Sequence, residues 1–236
     1  MSGLPRVEVE PAIGAAEAEG VRGFYVNSRV QPFRYENGPE PYALLMAETV
    51  AGFGPSSVLE FGCGSGRNLA VLRDLTPARL IGVDLNPTAI AWGRDNFGLD
   101  LQVGDETWLP AQGAGAFDIV YTVSVIDHIP QPQATIRALV AAAADLIVIC
   151  EIMHKETGRL LRMEDADGRL TDGYPFSYFH DYPARFAAAG AWLVADIACP
   201  VGTTGVLPYY RLQVYAKRTE WRRRNLVGGL RLQRPG

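Results

Sequence analysis

The stretch Val58-Leu-Glu-Phe-Gly-Cys-Gly-Ser-Gly66 decides the fold of this chain. An apolar run ends beside an acid, and three glycines at alternate positions follow, which can take backbone angles closed to other residues and let a ligand approach the main chain. In α/β sheets, such a loop at the carboxyl end of the first strand is where nucleotides bind. The dinucleotide fingerprint needs one more glycine or alanine three residues after Gly64, where this chain has Arg67. A nicotinamide-dependent oxidoreductase is therefore disfavoured.

Apolar runs alternate with helical patterns on both sides of this loop. The predicted strands are 57–61, 80–84, 101–104, 118–123, 146–151, 192–199 and 209–217, and the predicted helices are 41–50, 67–75, 87–96, 134–143 and 182–189. Alternation of this kind predicts a parallel sheet with helices on both faces. Residues 201–208 are too few for a parallel crossover, so the last two strands should pair antiparallel. The expected fold is a Rossmann-like, doubly wound, mostly parallel seven-stranded α/β sheet with one antiparallel strand and strand order 3-2-1-4-5-7-6.

Two of the predicted strands end in an acid. Asp84 lies 22 residues after Gly62, and Asp105 follows 21 residues later. A carboxylate at the first position can accept hydrogen bonds from both hydroxyls of a ribose, and one at the second can accept from the exocyclic amine of an adenine. A fourth segment, Phe117–Ser124, leads into Asp127 and His128.

In order and spacing, these four segments resemble the consecutive motifs of class I S-adenosylmethionine-dependent methyltransferases. The resemblance covers residues 55–152 and extends more weakly to 217. It implies S-adenosyl-L-methionine as the cofactor and S-adenosyl-L-homocysteine as the product. By the same resemblance, the cofactor-binding residues are Glu60, Gly62, Cys63, Gly64, Gly66, Asp84, Leu85, Asp105, Glu106 and Ser124.

The resemblance also implies a role for several of these residues. The glycine loop would lie beside the methionine portion of the cofactor, and Glu60 would order that loop. Asp84 would hold the ribose and Asp105 the adenine amine. Leu85 or Trp108 would flank the adenine ring, although Trp108 fits equally well as a core aromatic residue.

Methyl transfer mainly requires that the acceptor be aligned with the activated methyl group, and a hydroxyl acceptor also needs a base or a metal. A parallel sheet presents its ligands at the carboxyl ends of its strands. The candidate bases at that edge are His128, then His180, then His154, with Glu151 and Tyr182 as further candidates. Each histidine has a structural or surface role as its alternative. No metal site is expected, although an enzyme without a histidine base would work by positioning alone or through a metal held by carboxylates such as Glu151 and Asp127.

Charge is unevenly distributed along the 236 residues. The formal net charge is −4, with a net +6 on residues 217–236 and hence −10 on residues 1–216. The basic end is either a solvated appendage or a contact for nucleic acid or a neighbouring subunit. The Asp/Asn-Pro-Pro-Tyr/Phe sequence of many methyltransferases that act on bases is absent, and the body is acidic, so a nucleic-acid substrate is disfavoured.

The expected organisation is an irregular N-terminal lid segment (1–40), a methyltransferase domain (41–217) with an insertion (153–177) over the acceptor site, and a basic tail (218–236). The expected function is methyl transfer to a small-molecule acceptor, such as a hydroxyl of a sugar or specialised metabolite. An RNA or protein methyltransferase and a non-catalytic cofactor-binding regulatory module stay open as alternatives, as does a homodimer. Three scattered cysteines and the absence of a long apolar run favour a cytoplasmic protein without membrane contact.

Overall fold

The computed structural model describes residues 6–9, 15–28, 40–153, 157–161, 176–199 and 209–218. Its strands are β1 (Arg6–Val9), β2 (Ser57–Phe61), β3 (Arg79–Asp84), β4 (Leu101–Val103), β5 (Phe117–Val123), β6 (Ala143–Met153), β7 (Gly158–Leu161), β8 (Phe176–Phe179), β9 (Trp192–Ala198) and β10 (Tyr209–Ala216). Its α-helices are α1 (Ala15–Asn27), α2 (Pro41–Gly52), α3 (Arg67–Arg73), α4 (Pro87–Phe97), α5 (Gln133–Ala142) and α6 (Tyr182–Ala188). Two 3₁₀ turns cover Leu109–Gln112 and Ile126–His128.

Seven strands form the main sheet, in the order β4-β3-β2-β5-β6-β10-β9. The strands β2 to β6 run parallel to one another, whereas β10 is antiparallel to both β6 and β9. This is the predicted order 3-2-1-4-5-7-6, so the expected fold is confirmed. The single antiparallel strand follows from the short connection before it.

Helices cover both faces of the sheet. On one face, Met46 of α2, Leu69 of α3 and Ile90 of α4 pack against the strands. On the other face, Leu139 of α5 and Phe186 of α6 do the same. Strands covered on both faces must be apolar throughout, which explains why β6 carries an almost continuous run of buried residues. Buried polar side chains such as Glu60 and Glu151 lie near the carboxyl ends of their strands, whereas Gln213 lies in the middle of β10.

The N-terminal segment differs from the sequence-based expectation. It contains β1 and α1 instead of being irregular. The helix was missed because Val21 is its only fully buried described side chain, so no apolar stripe marks it in the sequence. Its stability must come from specific contacts with the rest of the chain.

A second sheet lies outside the main one. It has the order β1-β7-β8 and is antiparallel, with Arg6 to Val9 opposite Leu161 to Gly158. The predicted insertion, 153–177, contains β7 and the first residues of β8. Among the described residues, no helix is long and apolar enough to cross a bilayer.

Candidate active site

The glycine loop follows β2 and bends sharply toward β3. Gly62, Gly64 and Gly66 all have positive φ, at 73°, 53° and 80°, and the amides of Gly62 and Cys63 both donate to the carbonyl of Val83, at 2.8 and 3.1 Å. A Cβ on Gly62 would lie 2.4 Å from Cγ2 of Val125, so only glycine fits there. The loop is thus pressed against the segment that follows β5. Cys63 is buried, and burial raises the pKa of its thiol well above the usual value.

Asp84 lies beside this loop at the end of β3. Its carboxylate accepts from the Gly64 amide at 2.7 Å and from the Asn86 amide at 2.8 Å. Burial raises the pKa of Asp84, against the lowering effect of these backbone hydrogen bonds. A Cβ on Gly64 would meet nothing within 4 Å. The carboxylate and the loop therefore border open space at the strand ends, which fits a ligand that donates hydroxyl hydrogen bonds.

Glu60 links the start of the loop to α3 and β5 through hydrogen bonds inside the core. The side chain is fully buried, accepting from Asn68 Nδ2 at 2.8 Å and from the Tyr121 hydroxyl at 3.0 Å. Burial raises the pKa of Glu60 to about 8, although both hydrogen bonds act to lower it. Since Asn68 belongs to α3 and Tyr121 to β5, Glu60 connects both elements that flank the loop.

Asp105 follows β4, and both of its oxygens have protein partners. Oδ1 accepts from the Thr107 amide at 2.9 Å and its hydroxyl at 2.6 Å, while Oδ2 pairs with Arg22 of α1. Partial burial acts to raise the pKa of Asp105, but the hydrogen bonds from Thr107 and Arg22 outweigh it and lower the pKa. Trp108 packs against the core next to Leu109, which agrees with the alternative of a core aromatic. Leu85 and Glu106 are half-buried.

The segment after β5 is strained and tightly hydrogen-bonded. Ser124 has a φ of 52°, the only positive φ of a non-glycine residue among the described residues. Its hydroxyl donates to Asp127 at 3.3 Å and accepts from the Tyr210 hydroxyl at 3.0 Å. Left-handed backbone at a non-glycine residue stores strain and is concentrated at functional sites. Sequence reasoning selected Ser124 but found neither the strain nor the contact from β10.

His128 ends the 3₁₀ turn of the same segment. Its side chain is 12% exposed, its Nε2 lies 3.8 Å from Asp127 Oδ2, and its ring centroid lies 4.9 Å from that of Tyr25 on α1. Val125, which directly precedes this turn, packs against Gly62, so the turn begins next to the glycine loop.

The other candidate bases have different surroundings. His180 Nε2 lies 3.0 Å from the carbonyl of Ile129, and burial lowers the pKa of this histidine to about 4. Glu151 and Tyr182 are fully buried, and burial raises the pKa of each well above its usual value. His154 lies outside the described residues. In the part of the chain that the structure describes, no group of three or more His, Cys, Asp or Glu side chains is placed to hold a metal ion.

Helix α1 contacts residues that follow β3 and β4 and a residue of β8. The sequence did not reveal these contacts. Asn86, the N-cap of α4, donates through Nδ2 to the carbonyls of Tyr25 and Ser28, at 3.0 and 2.8 Å. The Tyr178 hydroxyl of β8 donates to Glu17 at 2.7 Å. Together with the Arg22–Asp105 pair, these contacts hold α1 across the carboxyl edge of the sheet.

A family model described as a methyltransferase domain matches residues 36–189 of the chain. Among curated proteins, a ubiquinone biosynthesis O-methyltransferase of Aromatoleum aromaticum is 31% identical over 112 residues, which cover 45% of this chain and 46% of that protein. A second protein of the same description, from Xanthomonas axonopodis, is 33% identical over 86 residues, covering 34% of this chain and 36% of the relative. The chain thus spans less than half the length of these relatives.

Solved structures share the fold. The 1,6-didemethyltoxoflavin-N1-methyltransferase of Burkholderia thailandensis, crystallised with 1,6-didemethyltoxoflavin and S-adenosylhomocysteine, superposes with a TM-score of 0.66 at 16% identity, covering 90% of this chain and 94% of that one. An amino pentose methyltransferase from Micromonospora echinaspora with bound S-adenosylmethionine gives a TM-score of 0.57 at 20% identity, covering 81% and 99%.

Proposed function

This chain belongs to the methyltransferase-domain family, and we propose that it transfers the methyl group of S-adenosylmethionine to a hydroxyl of a small molecule, such as a sugar or a specialised metabolite. The matched region contains the glycine loop, both acidic strand ends and the turn at His128. Support for an oxygen acceptor comes from relatives described as O-methyltransferases. Support for a small-molecule acceptor comes from structural neighbours whose described substrates are small.

The residues at the strand ends fit the proposed cofactor. Asp84 is a half-buried carboxylate whose two hydrogen bonds come from backbone amides, and each oxygen keeps a lone pair for a ribose hydroxyl. The bare backbone at Gly64 leaves room for the methionine portion. Asp105 would accept a hydrogen bond from the adenine amine, either in place of Arg22 or together with it. Glu60 would keep the loop rigid without touching the ligand.

The contact between Val125 and Gly62 is the observation that carries the proposed role of His128. It supports a position of the His128 turn beside the loop that would hold the reactive end of the cofactor. A sulfonium supplies a methyl group that is already activated, so the protein mainly orients the acceptor. His128 would remove the hydroxyl proton as the new carbon–oxygen bond forms. His180 is a weaker candidate because its Nε2 faces the Ile129 carbonyl and burial lowers its pKa to about 4.

Calorimetry tests the cofactor assignment. S-adenosylmethionine or S-adenosylhomocysteine should bind with roughly micromolar affinity, and NAD should not bind. Asp84→Ala should weaken binding by roughly a hundredfold, because ribose hydroxyls would lose charged acceptors in a closed site. The exposed Asp95 on α4 provides a matched control, and Asp95→Ala should bind like the wild type. Binding of NAD without S-adenosylmethionine would refute the proposal.

A methyl-transfer assay with labelled cofactor against a library of hydroxylated metabolites, with and without magnesium, tests the acceptor. With any acceptor found, His128→Ala should lower kcat by roughly a hundredfold or more with cofactor affinity little changed. Turnover near wild type in both His128→Ala and His180→Ala would remove histidine from the proposed mechanism. Transfer to RNA or protein but to no metabolite would refute the acceptor class.

A further inference from the structure

Two carboxyl groups meet beneath the turn that carries His128. Glu151 comes from β6 and Asp127 from the 3₁₀ turn, both are fully buried, and a Glu151 oxygen lies 3.1 Å from the Asp127 amide, from which it accepts. Carboxyl groups this close and this buried do not ionise together, because each charge raises the energy of the other in a medium that solvates neither. From the sequence, the two were paired only as carboxylates that could hold a metal if no histidine acts as the base.

Glu151 holds the turn in place. One oxygen accepts from the Thr122 hydroxyl at 2.6 Å, and the other accepts from the amides of Val125 and Asp127 at 3.0 and 3.1 Å. These amides belong to the residues on either side of Ile126, so a single side chain fixes the backbone of the whole turn. A neutral carboxyl group or a glutamine amide can keep the two backbone contacts, since its carbonyl oxygen accepts from both amides, while the amide nitrogen of a glutamine would donate to the Thr122 hydroxyl instead of accepting from it.

Asp127 connects the pair to the site. Its Oδ1 accepts from the Ser124 hydroxyl at 3.3 Å, and its Oδ2 lies 3.8 Å from Nε2 of His128. The chain of contacts continues from Ser124 to the Tyr210 hydroxyl at 3.0 Å, and Tyr210 stacks on Tyr42 of α2. The pair is therefore one end of a network that joins the turn after β5 to β10 and α2.

The tyrosine and cysteine side chains that face the pair have raised pKa values. Tyr182 of α6, Tyr210 of β10 and Cys150 of β6 face it, and the pKa of each is raised, by burial first for the two tyrosines and by its hydrogen bond to Cys199 first for the cysteine. The charge of Arg185, which also lies on α6, acts to lower the pKa of Tyr182. Burial and the charge of Asp127 raise the pKa of Glu151 well above its usual value.

We propose that Glu151 and Asp127 hold one proton between them and act as the positioning pair of His128: Glu151 fixes the turn, and the pair presents a single negative charge to the imidazole. This inference rests on the proposed role of His128 in methyl transfer. The proton taken from the acceptor hydroxyl would make His128 an imidazolium, which the charge of the pair stabilises. The proton then leaves to solvent, and the pair keeps its own proton throughout.

Histidine titration by NMR on the full chain, without any acceptor, tests the charge. The signal of His128 is assigned by its loss in His128→Gln, since the chain has only three histidines. Glu151→Gln should leave the titration midpoint of His128 within about 0.3 pH unit of wild type, because the charge stays on Asp127. The double variant Asp127→Asn with Glu151→Gln should lower it by about one unit or more, because no charge is left. Asp95→Asn serves as the control.

Other outcomes overturn the proposal. A midpoint that falls as far in Glu151→Gln as in the double variant means that both carboxyl groups were charged. A midpoint that does not move in the double variant means that the pair does not act on His128. If the double variant does not fold, carboxyl carbon NMR of the wild type decides.

The wild-type spectrum at pH 7 should contain a neutral carboxyl signal that disappears in Glu151→Gln. The signal expected from Glu60, whose pKa burial raises to about 8, is identified by its loss in Glu60→Gln. Absence of a neutral signal from the pair overturns the proposal. These measurements need no acceptor, so they can support the proposed pair even if the methyl-transfer assay fails. If methyl transfer is found but these measurements fail, the proposed pair is wrong and the proposed function stands.

Discussion

Both sides of the site combine local and long-range contacts, and the acceptor side depends on the longest of them. On the cofactor side, Glu60 bonds Asn68 eight residues away and Asp105 bonds Thr107 two residues away, while Tyr121 and Arg22 reach the same two carboxylates across 61 and 83 residues. On the acceptor side, the Tyr178 hydroxyl reaches Glu17 across 161 residues, and the Tyr210 hydroxyl reaches Ser124 across 86. Short-range contacts leave a pattern in the sequence, whereas long-range contacts leave none. A single substitution on the cofactor side should therefore affect mainly the glycine loop. A single substitution on the acceptor side should affect several elements that are far apart in the sequence.

The largest effect is expected at the contact that joins the two sides. Gly62→Ala should destabilise the protein by roughly 3 kcal/mol, because it combines left-handed backbone with a Cβ 2.4 Å from Val125. Gly98→Ala is the matched control, with a φ of 63° and nothing within 4 Å of the added Cβ, and should cost only about 1 kcal/mol. Denaturant unfolding measures both. Equal losses would mean that the Val125 contact does not press the sides together.

The second effect concerns pH and the cofactor side. Between about pH 5 and pH 8 the folded protein keeps a proton on Glu60 that the unfolded chain releases, so stability is lost as the pH rises toward 8. Glu60→Gln removes this dependence. From pH 5.5 to 7.5 the wild type should lose roughly 2 kcal/mol more than the variant. Denaturant unfolding at both values decides, with the exposed Glu48→Gln as control. An equal loss of stability in the wild type and in Glu60→Gln would contradict a raised pKa for Glu60.

A smaller effect is expected where α1 attaches to α4. Asn86→Asp keeps the N-cap acceptor for the Ala89 amide but removes the donors to Tyr25 and Ser28. Hydrogen exchange of the α1 amides should accelerate roughly tenfold, while global stability changes by about 1 kcal/mol or less. Asn96→Asp, the same change on the exposed face of α4, is the control. Unaltered exchange in α1 would show that Asn86 does not anchor the helix.

The smallest effect is expected from the basic end. Truncation after Lys217 removes the pair between Arg218 and Asp145, whose arginine side chain is 62% exposed, so stability should change by less than about 0.5 kcal/mol. Cofactor affinity measured by calorimetry should stay the same. Loss of a salt-sensitive RNA affinity on truncation would instead favour the nucleic-acid alternative.

Much of the fold could be predicted from the sequence, because β2 to β6 and their helices follow one another locally. The strand order, the antiparallel β10 and the position of the glycine loop needed only pattern and connection length. The segment around α1 could not be predicted, since only Val21 of its described side chains is fully buried. The β1–β7 pairing was equally invisible, because strand partners so far apart in sequence carry no mutual signal.

The same division holds for the site. Asp84 and Asp105 were predicted from their place at strand ends, and the structure puts both at the carboxyl edge of the sheet. The histidines were ranked from the sequence with His128 first, and the three-dimensional contacts distinguish His128, near Asp127 and Tyr25, from His180, turned toward the Ile129 carbonyl. The partnership of Glu151 with Asp127 depends on the depth of β6, which residue type alone does not reveal.

The small sheet also has a consequence for the order in which the molecule assembles. Its first strand, β1, pairs with β7, so Arg6 must wait for Leu161 to be synthesised before it finds its partner. Closing so long a stretch of chain is entropically unfavourable until the main sheet has already brought the ends together. During synthesis, the strands β2 to β5 can pair early, and the region around β1 forms last. On mild heating or in dilute denaturant, that region should be the first to open, which would leave a folded core with an uncovered acceptor side.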